Sequence, residues 1–570
     1  MINYTEKIAE LLAPHIEGLE TAEIREMIET PADSSMGDYA LPCFKLARVL
    51  RKAPPMIAKG IAEAIADDPM FAKVEQVNAY VNMFLAREAF AGEVVSEVNE
   101  KDADYGRSDL GENRKVIVEY SSPNIAKPFH IGHIRSTVIG SSIANIYDFL
   151  GYDVFRINHL GDYGTQFGKM IVAYRRWGNR EDVINEPIKT LLEYYKKFHI
   201  EAEKDPTLED EARATFTKLE HGEKEEVELW QWFRDESLKE FNRVYDMLGI
   251  SFDSYNGESF YSDKMPRFVK ELEDKGLLEE DDGAKIVRLD DYNLPVALIT
   301  KSDGSTLYIT RDIAAAVYRK ETYDFYKNIY VVASQQNLHF QQWIQILEMM
   351  GYEWARDCVH VPFGLVSMEE GTMSTREGRV IFLEDVLNRA VDQTREIIKE
   401  KNVNTENIEE TAAAVGIGAV IFNELSNYRI KDYVFSWEHV LNFEGETGPY
   451  VQYTHARACS ILRNAGEEVV AKAKAGFDPS YITGDSAHEL VTLLYELPAV
   501  IEEAGEKYEP SIVTRHIVDI AQAYNRFYHD EHILVENEDE KVAKVALVMA
   551  ARAAIRNGLA LLGMKAPEKM

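Results

Sequence analysis

Cysteine is scarce in this chain of 570 residues, which holds only Cys43, Cys358 and Cys459. They lie far apart and form no C-x-x-C pair, which argues against a disulfide framework and against a cysteine-rich zinc site. Three single buried thiols and no structural zinc are expected. Long apolar runs are missing too, since no stretch approaches the roughly 18 consecutive apolar residues of a membrane span. The opening residues MINYTEKIAELLAPHIEGLE mix acids into helical spacing, unlike a secretory leader. A cytoplasmic protein is expected. Positive charge is in deficit: Lys and Arg total 63 against 97 Asp and Glu, a formal net charge of −34. Such a balance counts against a surface coated for nucleic acid, although it leaves room for a local basic face.

With 46% hydrophobic, 28% charged and 11% aromatic residues the chain can bury sizeable cores. Its length suits several units of about 100–200 residues each. Three regions separate by pattern. Residues 1–110 carry amphipathic helix spacing in EKIAELLAPHI, CFKLARVL and MIAKGIAEAIA, then VNAYVNMFL, which reads as one strand. They form a small α+β module ending in the polar linker KDADYGRSDLGENR. Residues 111–406 alternate strand-like runs, KVIVEY, DVFRINHL, NIYVVAS and CVHVPFGLV, with helical stretches. That alternation predicts an α/β unit with a mostly parallel, Rossmann-like sheet, whose ligands collect at the carboxyl ends of the strands. An acidic, helical insertion interrupts it at about residues 169–298. Residues 407–570 lose strand signals and read as an all-α helical bundle.

The chemistry concentrates in SSPNIAKPFHIGHIRSTVIG, residues 121–140, directly after KVIVEY. His130, Gly132 and His133 form H-x-G-H, for which chance allows only about 0.02 matches in a chain of this composition. The motif follows a strand and opens a helix, where free backbone N–H groups and the helix dipole favour an anion. The imidazoles can donate to phosphate oxygens, and Gly132, lacking a Cβ, lets a flat base lie against the backbone.

H-I-G-H resembles the first signature of class I aminoacyl-tRNA synthetases, and the surrounding VEYSSPNIAKPFHIGHIRSTVIG resembles the arginyl-tRNA synthetase version. Further segments are similar to that family in the same order: NHLGDYGTQFG, TLYITRDIAAA, ASQQNLHF, TGPYVQYTHAR and the tail LALLGMKAPEKM. The resemblance spans nearly the whole chain. It implies an arginine–tRNA ligase that makes arginyl-adenylate from arginine and ATP, with Mg2+ accompanying the nucleotide, and then charges tRNA(Arg).

A site for free arginine must neutralise a permanently charged planar guanidinium, for which a carboxylate is the natural forked partner. Tyr308 and Asp312 stand four residues apart in YITRD, so on a helix they share one face. The resemblance places both at the arginine side chain, adds Glu119 as a second carboxylate, and gives Asn124 and Gln336 to the α-amino and carboxylate groups. His130 and His133 are the candidates for matching charge that develops on the phosphates.

The second class signature, usually K-M-S-K-S, reads here Thr372, Met373, Ser374, Thr375 and Arg376. Both lysines are missing. Gly132 with Met373, Ser374, Thr375 and Arg376 would still line the ATP site. Lys127, three residues before His130, is the candidate for the missing cation, with Arg376 as a helper; relatives lacking the loop lysine often carry a lysine there. Tyr453 and Tyr528 are candidates for stacking on unpaired tRNA bases. The resemblance also implies a monomer, an N-terminal module at the tRNA elbow, a C-terminal domain at the anticodon, and adenylate formation that needs bound tRNA.

Two other readings share part of the pattern. Another class I synthetase or a small nucleotidyltransferase could carry H-x-G-H, but has no need of Tyr308, Asp312 and the C-terminal helices together. A non-catalytic RNA-binding relative is supported only by the altered loop.

Overall fold

The computed structural model describes residues 2–302, 308–368, 381–400, 407–440 and 445–570. In the N-terminal module the helices Tyr4–Leu12 and Pro54–Ile65 pack on an antiparallel sheet of β1 (Tyr39–Pro42), β2 (Phe71–Val77) and β3 (Tyr80–Leu85), ordered β1-β3-β2. VNAYVNMFL, expected as one strand, is the end of β2, a reversal at Asn78 and Ala79, and all of β3. Asn78 takes φ of 54°, a backbone state its short polar side chain tolerates, and this lets Val77 pair with Tyr80. β2 mixes buried or half-buried with exposed positions, and its charged residues hid the strand from the apolar pattern.

The central sheet is parallel, as the strand–helix alternation predicts. Its order is β10-β9-β4-β5, from β4 (Lys115–Glu119), β5 (Asp153–Ile157), β9 (Lys327–Ala333) and β10 (Cys358–Phe363). Val116, Ile117 and Val118 of β4 are fully buried, because helices cover both faces of the sheet. The helix Ile134–Phe149 runs from the first signature back across the sheet. It approaches closely at Gly140, where a Cβ would fall 2.1 Å from the Cβ of Tyr120.

Between β5 and β9 the insertion contains the helices Gln166–Trp177, Pro187–Lys204, Thr207–Glu220 and Lys224–Leu248. It is not all helical. An antiparallel sheet of β6 (Glu279–Asp281), β7 (Ala284–Val287) and β8 (Ala297–Thr300) follows. The acidic LEEDDG holds a hairpin: Asp282 and Gly283 take φ of 51° and 78° between the paired Asp281 and Ala284, the positive-φ turn that Asp-Gly favours.

The C-terminal region is built of helices, among them Ile408–Ser426, Gly448–Ala465, Asp485–Lys507, Ser511–Asp530 and Glu538–Leu561. One strand was not expected there: β12 (Tyr433–Phe435) pairs in parallel with β11 (Val366–Met368), tying this region to the parallel-sheet unit. The N-terminal module also docks on the bundle. The backbone N–H of Tyr4 donates to the hydroxyl of Tyr495 at 3.0 Å, and Asp102 accepts from Arg552 and Arg556 at 3.1 and 2.9 Å. Among the described residues no helix is long and apolar enough to cross a membrane.

Candidate active site

The first signature lies beyond the carboxyl end of β4, at the edge where ligands of parallel sheets collect. The chain leaves β4 through Ser121, Ser122 and Ala126, all with positive φ of 69°, 47° and 57°. These conformations are held in place: the Ser121 hydroxyl is 2.8 Å from those of Thr137 and Tyr245, and the Ala126 N–H donates to Ser237 at 3.2 Å. Strain of this kind persists only where surrounding contacts over-determine it, and it clusters at functional sites.

The two histidines cap the turn Ile131–His133 with their own rings. His130 Nδ1 accepts from the Gly132 N–H, and His133 Nδ1 accepts from the His130 N–H, both at 3.1 Å. A backbone N–H can only donate, so His130 Nδ1 is unprotonated and its ring carries its proton on Nε2, whereas His133 Nδ1 also lies 3.3 Å from the His130 carbonyl. Burial lowers the affinity of both rings for a second proton, and for His133 the value is pushed down to about 3 by burial, then by His130, with the charge of Lys127 adding to it. The rings, 4.0 Å apart, therefore stand as a neutral imidazole pair. Lys127 and Pro128 line a cavity of about 570 Å³ facing Tyr195, Lys196 and His199 of the insertion.

Asn124 is exposed and locked by its neighbours. The Ile125 N–H donates to the Gly161 carbonyl at 3.1 Å and the Gly161 N–H to Pro123 at 3.0 Å. A Cβ at Gly161 would lie 2.4 Å from the Asn124 Oδ1, so a larger residue there would displace the Asn124 side chain. Tyr308 opens the helix Tyr308–Tyr323 and is 66% exposed, with Asp312 one turn further on. Asp312 accepts from His339 Nε2 at 2.5 Å. Gln336 lies exposed at the carboxyl end of β9, three residues before His339.

Glu119 is buried and already paired, its carboxylate 2.5 Å from Nη2 of the fully buried Arg319. Arg319 lies two turns beyond Asp312, and the buried Tyr330 phenol between strand and helix feels Arg319, Glu119 and Asp312 together. A third acid joins them. Burial raises the pKa of Glu258, with Arg311 and His159 opposing and Asp312 and Asp162 adding to the rise; its carboxylate is 3.3 Å from Arg311. His339, Arg319 and Glu258 are functional neighbours that the sequence alone did not single out. Only His339 had a signal, inside ASQQNLHF.

Met373, Ser374, Thr375 and Arg376 lie outside the described residues. On the far side of that segment the chain returns to the first signature: the Ile131 N–H donates to Ile381 at 3.1 Å and the Leu383 N–H to Phe129 at 2.9 Å. In the C-terminal bundle Tyr453 and Tyr528 are 47% and 45% exposed. The Arg457 guanidinium lies 4.9 Å from one ring centroid and 5.2 Å from the other. This aromatic and cationic cluster spans two neighbouring helices. Among the described residues no group of His, Cys, Asp and Glu is arranged to hold a metal ion.

Comparison with known proteins covers every part of this arrangement. Residues 94–437 match the family model "tRNA synthetases class I (R), catalytic domain", residues 451–570 the "DALR anticodon binding domain", and residues 3–85 the "Arginyl tRNA synthetase N terminal domain". The arginine–tRNA ligases of Halothermothrix orenii and Clostridioides difficile are each 57% identical over 570 residues, covering all of both chains. The solved arginyl-tRNA synthetase of Thermus thermophilus superposes with a TM-score of 0.79 at 25% identity, covering 100% of each chain. Full-length identity of this degree and matches to all three family models leave one assignment: the chain belongs to the arginyl-tRNA synthetase family of class I aminoacyl-tRNA synthetases.

Proposed function

We propose that this protein ligates L-arginine to tRNA(Arg) in two in-line steps at the carboxyl edge of the parallel sheet. An oxygen of the arginine carboxylate bonds to the α-phosphorus of ATP as the bond to the bridging oxygen breaks, giving arginyl-adenylate and pyrophosphate. A terminal ribose hydroxyl of the tRNA then attacks the arginyl carbonyl, and AMP leaves. The observation that carries the reading is the meeting of the imidazole pair His130 and His133 with a carboxylate cluster at one sheet edge.

Because both imidazoles are held neutral, their share is hydrogen bonding from the ring N–H groups, set in place before the reaction begins. The cationic share falls to Lys127, whose charge is felt at His133, with Arg376 as helper. Gly132 and the segment Met373, Ser374 and Thr375 complete the nucleotide site, and Mg2+ accompanies ATP. Asp312 and Tyr308 take the guanidinium, Glu119 adds its carboxylate while orienting Arg319, and Asn124 and Gln336 hold the α-amino and carboxylate groups. A lysine ammonium could not satisfy these forked acceptors, and carboxylates left unpaired in a dry pocket are costly. Residues 1–110 and 407–570 would grip the tRNA outside the catalytic unit 111–406, with Tyr453 and Tyr528 stacking on unpaired bases beside Arg457. The protein would act as a cytoplasmic monomer.

The test is exchange of labelled pyrophosphate into ATP with arginine, lysine or citrulline, each with and without tRNA(Arg). Exchange with arginine alone among the three supports the reading, and its restriction to reactions containing tRNA would show that activation is coupled to tRNA. Folded protein that binds tRNA yet exchanges under no condition would overturn it. Lys127→Ala should lower turnover about a hundredfold, the scale of one lost electrostatic group in a transition state; near-normal turnover would remove Lys127 from the mechanism.

A further inference from the structure

Arg135, two residues beyond His133, is fully buried in the first turn of the helix Ile134–Phe149. Among the described residues its guanidinium makes no hydrogen bond to a carboxylate. Instead Nη1 donates to the carbonyls of Gly364 at 3.1 Å and Lys431 at 2.7 Å, and Nη2 to that of Arg429 at 3.1 Å. Gly364 stands directly between β10 and β11, the strand that precedes the second signature, while residues 429–431 lead into β12. One side chain thus joins the helix of the histidines to both approaches of the β11–β12 pair.

The same junction continues into the C-terminal helices. Arg429 donates to the Pro362 carbonyl at 2.7 Å and to the Tyr508 carbonyl at 3.0 Å. The Leu365 N–H donates to Asp432 at 2.6 Å, and the Gly364 N–H to the Arg429 carbonyl at 2.8 Å. Packing here is tight, for a Cβ at Gly364 would meet the Lys431 carbonyl at 2.5 Å.

Stability alone does not account for a charge in this place. The nearest carboxylate oxygen, on the equally buried Glu424, is 3.8 Å from Nε, and neither Glu424 oxygen has a hydrogen-bond partner. Buried ion pairs are commonly matched or bettered by apolar packing of the same volume, and a pair this loosely joined gains least of all. What a guanidinium supplies that apolar packing cannot is a planar set of donors able to hold separate chain segments at fixed distance and angle.

We propose that Arg135 is a positioning residue for the ligation reaction: it clamps the carbonyls of Gly364, Arg429 and Lys431 to the start of the helix that follows His133, so that the histidines, the approach to the second signature and the C-terminal helices keep one relative placement. The inference rests on the reading that His130 and His133 act on the phosphates of ATP. A displacement of about 1 Å between reacting groups can lower turnover by about a hundredfold without touching the substrate's own contacts.

The experiment compares Arg135→Gln, Arg135→Lys and Gly364→Ala in steady-state aminoacylation, with the number of competent sites counted from the single-turnover yield of adenylate. Arg135→Gln should keep KM for arginine and ATP within about threefold while kcat per competent site falls about a hundredfold. Arg135→Lys, still a donor, should recover at least about tenfold of that loss. Gly364→Ala, which pushes the clamped segments apart with Arg135 intact, should reproduce the fall in kcat. An unchanged kcat per competent site in Arg135→Gln, or a loss that only reflects fewer competent sites, would overturn the inference. His130→Ala and His133→Ala run alongside separate the two readings: full activity in those variants would remove the phosphate role of the histidines, whereas their inactivity beside a fully active Arg135→Gln would remove the clamp alone.

Discussion

Glu424 sits beside the clamp, and its burial, opposed only by the charge of Arg135, pushes its carboxyl up to about 8 from an ordinary 4.5. The folded protein therefore holds this proton at pH values where the unfolded chain has released it. The stabilising contribution is complete below about 4.5, is lost as pH rises through about 8, and does not return at higher pH. Glu424→Gln, permanently neutral, should unfold near the wild-type midpoint at pH 5 and above it at pH 9, measured by urea titration at both. A variant less stable than wild type at pH 9 would show that the ionised pair is favourable. At this scale the sequence exposed what lies close along the chain. Tyr308 and Asp312 were legible because four residues make one helical turn, and His130 and His133 because their spacing caps a turn. Their partners were not. His339 reaches Asp312, and Arg319 reaches Glu119, only because β9 and the helix Tyr308–Tyr323 bring distant residues to one sheet edge. Arg457, inside the quoted THAR, gained its meaning only between two tyrosines from different helices.

At the scale of elements, the helix Ile134–Phe149 carries the consequences of its closest contact. Gly140→Ala would drive a methyl group against Tyr120, whose Cβ lies 2.1 Å from the position it must take. Overpacking of this kind destabilises by roughly 1–3 kcal/mol, and moving this helix also moves His133 at its start. Gly140→Ala should show a lower unfolding midpoint together with reduced kcat; a variant with both intact would mean that helix and sheet separate freely. The inner parallel strands β4 and β9 were legible because burial on both faces makes them continuous apolar runs. The strand β2 and the hairpin β6–β7 were not, since charged residues interrupt the apolar pattern of each. The Asp-Gly turn in LEEDDG was a usable signal, outweighed by the acidic run around it. The pair β11–β12 could not be read at all. Three residues carry no periodicity, and their partners stand more than sixty positions apart.

At the scale of the whole molecule, an acidic enzyme must hold an anionic tRNA by segregating its basic residues. Exposed Lys45, Arg48, Arg51 and Lys52 closely follow the exposed Phe44 along the N-terminal module, and Arg457 stands between two exposed tyrosines on the bundle. Even three phosphate contacts would make affinity fall by more than about tenfold between 50 and 200 mM salt. Filter binding across that range should show this steep loss despite the net charge of −34, and a flat response would place the tRNA on an uncharged surface.

Taken by itself, the sequence determined the fold class, the histidine-bearing turn and the family. Each of these is written in short-range patterns: apolar alternation, four-residue spacing, and glycine where backbone must come close. Tertiary structure decided the charge state of the histidines, the partners of Asp312 and Glu119, and the junction at Arg135. Burial and Coulomb interaction depend on distance in space, and in these cases the interacting groups are brought together from segments tens to hundreds of residues apart or enclosed by them.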